Sequence, residues 1–170
     1  MKPFAQKSAS DNMKCCHRGL HGAPMKQIRL TIDGACIGNP GPGGWAFVLR
    51  YKDHFREGTG VERDTTNNRM ELRAVIEGLR VLNKPCAVLV TTDSKYVRDG
   101  MTTCIRNWKP EDWIRIKNRA LWQELERVQR MHKVSCRWVK GNANDEDNER
   151  CHLLANLAAR SVKLETLVSA

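Results

Sequence analysis

The sequence predicts an α/β fold built on a five-stranded mixed sheet, the first three strands antiparallel and the later ones added in parallel, with helices on both faces. Two observations carry this. Three strand-like runs come first and helix and strand alternate afterwards, which in a single sheet requires crossovers through helices. Two of the runs, ending at Asp33 and Asp93, are apolar up to a terminal carboxylate, the pattern of neighbouring central strands that present side chains at their carboxyl ends.

The opening strand is the run Ile28-Arg29-Leu30-Thr31-Ile32, whose alternation and β-branched content suit a half-buried strand. It delivers Asp33 into a Gly/Pro stretch, Gly38 to Gly44, which reads as a turn. Trp45 to Tyr51 and Phe55 to Val61 form a hairpin through the short Lys52-Asp53-His54 connection. After Arg63 to Asn68, a helix is marked by Met70, Ala74, Val75, Ile76, Leu79 and Leu82 at helical spacing and closed by Pro85. Cys86 to Thr92 is a short continuous apolar run, as in a strand buried on both faces. Helices are expected over 94–104, 121–131 and 148–162, with a strand at Val134 to Val139.

The 170-residue chain suits one compact domain over 25–164, preceded by a flexible basic tail over 1–24 and followed by a short C-terminal tail over 165–170. Twenty-nine Lys and Arg against 19 Asp and Glu give a net charge of +10, which favours polyanionic partners and points to nucleic acid. No apolar run is long enough to span a bilayer, and the first residues lack the apolar centre of a secretory signal. The seven cysteines are scattered and odd in number, as in a reduced, cytoplasmic protein. Cys15, Cys16, His17 and His21 are metal-capable, but no second pair at zinc-finger spacing accompanies them. No oligomerisation signal is evident, and a monomer is expected.

A right-handed crossover through the Met70 helix makes the strands ending at Asp33 and Asp93 parallel neighbours, so their carboxylates should be adjacent. Glu71, in the opening turn of that helix, adds a third. Each acid has a plainer reading. Asp33-Gly34 could be turn chemistry alone. Glu71 could close a capping box with Asn68, and Asp93 could cap the helix starting at Ser94. Their convergence argues for more, because three clustered carboxylates repel one another unless a divalent cation such as Mg²⁺ or Mn²⁺ compensates them.

Four ordered motifs, DGACIGNPGPGGW, TTNNRMEL, TDSKYV and WVKGNANDEDNERC, resemble type 1 ribonuclease H from about Met25 to about Ser161. The resemblance implies the ribonuclease H-like fold and a metal-dependent endoribonuclease that cuts the RNA strand of RNA–DNA hybrids, leaving 5′-phosphate and 3′-hydroxyl ends. Two divalent cations about 4 Å apart would clamp the attacking and leaving oxygens. Asp33, Glu71 and Asp93 match three of the family's four metal-binding acids. Cys36, Asn39, Asn67 and Asn68 match positions that contact the hybrid's minor groove and 2′-hydroxyls, and Thr66 one that helps seat a DNA phosphate.

The sequence departs from the family at two active-site positions. His152 follows Cys151 where the fourth acid is usual, and Asn142 stands where a mobile histidine is usual. A neutral imidazole suits Mn²⁺ better than Mg²⁺, so His152 as a metal ligand predicts weakened or Mn²⁺-preferring hydrolysis, with Asn148 and Glu149 one turn away as further donors. A third departure lies in the basic segment, where Pro110, Glu111 and Asp112 interrupt the cations. Trp108, Trp113, Arg115 and Lys117 remain as a candidate phosphate-gripping surface, set against the plainer reading of a solvated helix with tryptophans turned to the core. The rival to the enzyme is a catalytically weakened member of the same fold that binds hybrid or double-stranded nucleic acid.

Overall fold

The structure, a computed structural model, describes residues 25–104, 116–141 and 145–168. The elements in chain order are β1 (Lys26–Cys36), β2 (Gly41–Tyr51), β3 (His54–Thr65), α1 (Asn67–Arg80), β4 (Cys86–Thr92), α2 (Lys95–Asp99), a π-helical turn (Gly100–Cys104), α3 (Arg119–Gln129), β5 (Lys133–Trp138) and α4 (Glu146–Val168). The strands form one sheet in the order β3-β2-β1-β4-β5. β1 to β3 pair antiparallel, while β4 lies parallel to β1 and β5 parallel to β4. The fold class read from the sequence is therefore the one observed. No helix among the described residues is long and apolar enough to cross a membrane.

Side-chain alternation along β1 divides the molecule into two layers. Ile28, Leu30 and Ile32 join Phe47, Leu49 and the apolar faces of α1 and α3 in the larger core. The opposite face carries small residues, Ala35, Ala46 and Val48, against Cys151, Ala155 and Ala159 of α4. Trp122 of α3 fills the larger core and satisfies its indole nitrogen by donating to the Tyr96 hydroxyl at 2.8 Å.

Several boundaries differ from the sequence reading for local reasons. The Gly41 to Gly44 run, expected as a turn, belongs to β2: Gly43 pairs with Cys36 and Gly44 with Ala35. These glycines serve close approach. A Cβ on Gly44 would meet the Ala155 carbonyl and the Ala159 amide of α4, so the helix backbone rests directly on the strand. Gly44→Ala is expected to lower stability by about 1–3 kcal/mol, the usual cost of overpacking, measurable by urea denaturation.

The reversal itself is made by 37–40, with Gly38 at φ 93°. α1 starts at Asn67, earlier than Met70, so Glu71 lies past the opening turn in which the sequence reading put it. The helix expected over 94–104 is α-helical only through Asp99; at Gly100, where a Cβ would overlap the Trp122 ring, the chain passes into a π turn. α4 runs on through Val168, so 165–168 extend the helix where a tail was expected from 165.

Candidate active site

The end of β1 and the start of α1 meet because Gly34 has no side chain. A Cβ there would overlap the Met70–Glu71 backbone, so glycine lets the helix settle on the strand and brings Glu71 towards Asp33. Asp93 arrives from the other side. β1 and β4 pair in parallel through Thr31 and Thr91, and the two aspartates stand two residues beyond that pair on each strand.

Each carboxylate is turned to its own partners. Asp33 accepts a hydrogen bond from the Gly34 amide at 2.7 Å on Oδ1, and its Oδ2 lies 2.9 Å from His152 Nδ1. Glu71 accepts from the Asn67 side-chain amide at 2.9 Å and from the Ser94 hydroxyl at 2.5 Å. Asp93 faces the Asn148 amide at 3.5 Å, and its backbone carbonyl accepts from the Trp138 indole at 2.8 Å. Neither capping interpretation describes these acids. Thr66 is the N-cap of α1 and makes no side-chain cap bond, while α2 is capped by Ser94, whose oxygen accepts from the Val97 amide at 3.2 Å.

Burial and mutual repulsion set the electrostatics. Burial, then the charge of Asp93, pushes Asp33 from its usual 3.8 up to about 6, against the pull of Gly34 and His152. Burial likewise raises Glu71 from 4.5 to about 7; Ser94 and Asn67 pull it down, while Asp33 and Asp93 push it further up. Groups whose folded pKa is raised bind more protons folded than unfolded between about pH 4 and 7, so stability falls as pH rises through that window. The metal-free protein is therefore expected to lose on the order of 2 kcal/mol between pH 4.5 and 7.5, as measured by chemical denaturation. A stability that rose across that range would contradict the buried-acid geometry.

The donors suit a hard divalent cation in kind: three acids whose charges converge, beside a buried Asn148 whose Oδ1 lacks a hydrogen-bond partner. Among the described residues, however, no three His, Cys, Asp or Glu side chains close into a ready ligand cluster. His152, expected as a fourth ligand, lies against the central acid. Its Nδ1 faces Asp33 and its Nε2 faces the Asn156 amide at 3.3 Å, so with Asn156 donating, Nδ1–H donates to Asp33. His152 here is a hydrogen-bond partner of the central acid.

The predicted substrate residues gather on the adjoining edge. Asn39 Oδ1 accepts from the Asn67 backbone N–H at 2.9 Å, and the Cys36 thiol faces the Thr65 carbonyl at 3.3 Å. Thr66 and Asn67 are half-buried and Asn68 is exposed. Lys117 lies in the turn before α3, where its carbonyl accepts from Tyr96. Asn142, Trp108, Trp113 and Arg115 lie outside the described residues, as do the tail cysteines and histidines.

Sequence reasoning missed Ser94 and Asn156. Ser94 carried a signal, since a serine opening a helix directly after a strand-end acid can cap the helix and donate to a neighbouring acid at once.

A mixed sheet in which two acids just past the pairing of adjacent parallel central strands meet a third on the crossover helix defines an α/β protein with a carboxylate-centred candidate metal site. The ribonuclease H family model matches residues 25–160. A ribonuclease H of Hydrogenovibrio crunogenus is 48% identical over 139 residues, covering 79% of this chain and 96% of that protein. One from Agrobacterium fabrum is 52% identical over 136 residues, covering 77% and 93%. The crystal structure of LC9-RNase H1, described as a type 1 RNase H with the type 2 active-site motif, is 36% identical with a TM-score of 0.75, covering 82% of this chain and 74% of that one. The chain belongs to the ribonuclease H family.

Proposed function

We propose that this protein hydrolyses the RNA strand of RNA–DNA hybrids, with Asp33, Glu71 and Asp93 holding Mg²⁺ or Mn²⁺. The observation that carries the proposal is the convergence of these three acids, Asp33 and Glu71 buried and oriented by their own hydrogen bonds and Asp93 half-buried beside them. Bound divalent cations would supply activation of a water and neutralisation of charge at the phosphorus. The chain's own residues supply the frame. Ser94 and Asn67 orient the two oxygens of Glu71, while Gly34 and His152 orient those of Asp33. Asn39, Asn67, Asn68 and Cys36 would read the 2′-hydroxyls of the RNA strand, the groups that distinguish RNA from DNA. Thr66 would seat a phosphate of the DNA strand, and Lys117 would add backbone attraction in a chain of net charge +10.

A second reading, hybrid binding with weakened cleavage, is favoured by one observation. An imidazole stands on Asp33 where the family usually has an acid, which leaves the site one negative charge short. Cleavage of end-labelled hybrid, duplex DNA and duplex RNA in Mg²⁺ and in Mn²⁺ separates the two. The enzyme reading expects cuts in the RNA of the hybrid alone, with Mn²⁺ supporting the faster rate. Tight hybrid binding without cuts in either metal would favour the second.

A further inference from the structure

Asp147 lies in the first turn of α4, only 7% exposed, and is gripped by a strand residue 97 positions earlier. Arg50 Nε stands 2.8 Å from both carboxylate oxygens and Nη2 stands 2.7 Å from Oδ1. Arg29, the cross-strand neighbour of Arg50, adds a contact at 3.4 Å, and the Arg50 guanidinium lies over the Phe55 ring, 5.0 Å from its centroid. Such a fork fixes both the distance and the angle of its partner, which a point charge would not do.

What rides on this turn is the active site. Asn148, the next residue, reaches Asp93, and His152, just over one turn further on, reaches Asp33. A second fork of opposite polarity, Arg150 on Glu57 of β3 at 2.9 and 3.0 Å, ties the next turn of the same helix face to the sheet. Apolar packing would hold the helix equally well, because a buried ion pair seldom stabilises more than well-packed apolar groups of its size. An ion pair does fix one geometry, and small misplacement of reacting groups is costly to rate.

We propose that Arg50 and Asp147 are positioning residues for the reaction: their ion pair sets the depth and rotation of the start of α4, so that Asn148 and His152 meet Asp93 and Asp33. The inference rests on the catalytic reading of those acids.

The test uses the full chain, with Val162→Ala at the far, buried part of α4 as a control for general destabilisation. At a temperature where every variant is folded, Arg50→Gln is expected to lower kcat on hybrid about tenfold or more with KM little changed, and Arg50→Lys to recover part of the loss. Val162→Ala should keep kcat within about twofold even where its melting temperature falls as far. Equal kcat losses in Arg50→Gln and Val162→Ala, or none in Arg50→Gln, would overturn the proposal.

A second readout does not need turnover. The ring signals of His152 in NMR spectra, identified by their loss in His152→Asp, should move in Arg50→Gln and stay in Val162→Ala; unmoved signals in Arg50→Gln would also overturn it. A native chain that cut no hybrid would instead sink the enzyme reading, leaving these spectra to decide the role of the clamp.

Discussion

Asp33→Asn is expected to lower kcat on hybrid by about a thousandfold while leaving the metal-free protein at least as stable as the native one, a combination that separates a catalytic acid from a structural one. The loss follows from its position. Asp33 lies on the central strand just past its parallel pairing with β4, within the field of Asp93, and contributes to the field felt by Glu71, so no other acid is placed to take over both relationships. The stability follows from the same facts. At pH 7.5 a carboxyl titrating at about 6 is charged while buried and repelled, and an amide of the same shape keeps an oxygen for the Gly34 amide without that charge. Against this stands the weakened contact to His152, a loss of about 1 kcal/mol. Single-turnover cleavage and thermal melts of both proteins check the two halves, and cutting at the native rate by the Asn variant would remove Asp33 from the mechanism.

His152→Asp is expected to raise the Mg²⁺-supported rate about tenfold and to narrow the preference for Mn²⁺, because a hard anionic oxygen replaces an imidazole. The same change should lower the melting temperature without metal. A ring nitrogen now lies 2.9 Å from Asp33 Oδ2, and a second carboxylate so close cannot ionise freely beside the first. Added Mg²⁺ should therefore stabilise the variant more than the native chain, since an ion that binds only the folded form raises its stability by mass action. Equal Mg²⁺ rates in the two proteins would show that position 152 is not where the missing charge matters. A native chain silent in both metals, together with an active variant, would make the native protein a binder.

The strands and their order were legible because alternation and apolar runs are direct marks of which faces are buried, and the acids at 33 and 93 stood at the ends of those runs. Other features depended on information that a local stretch does not hold. A Gly/Pro run has one appearance whether glycine is there to turn the chain or to let a helix approach, so Gly41 to Gly44 read as a turn although Gly44 serves contact with α4. Ser94 read as a helix start, and its bond to Glu71 joins residues 23 apart. Asp147 sits in the acidic run Asp145-Glu146-Asp147, which resembles any solvated helix start until the fold brings Arg50 to it. His152 was legible as a departure, but that its ring would turn to Asp33 depended on the pitch of α4 against β1.

The alternation along β1 has a consequence for how the molecule behaves as a mechanical object. Asp33 belongs to the face that α4 covers, whereas Glu71 comes from the helix on the opposite face, and the apolar clusters of the two faces are separate. The acids thus sit astride the rim of the sheet, where the two slabs of the protein come within reach of each other's side chains. Anything that slides one slab relative to the other changes the spacing of the charges there, and anything that draws the charges together bolts the slabs across that rim.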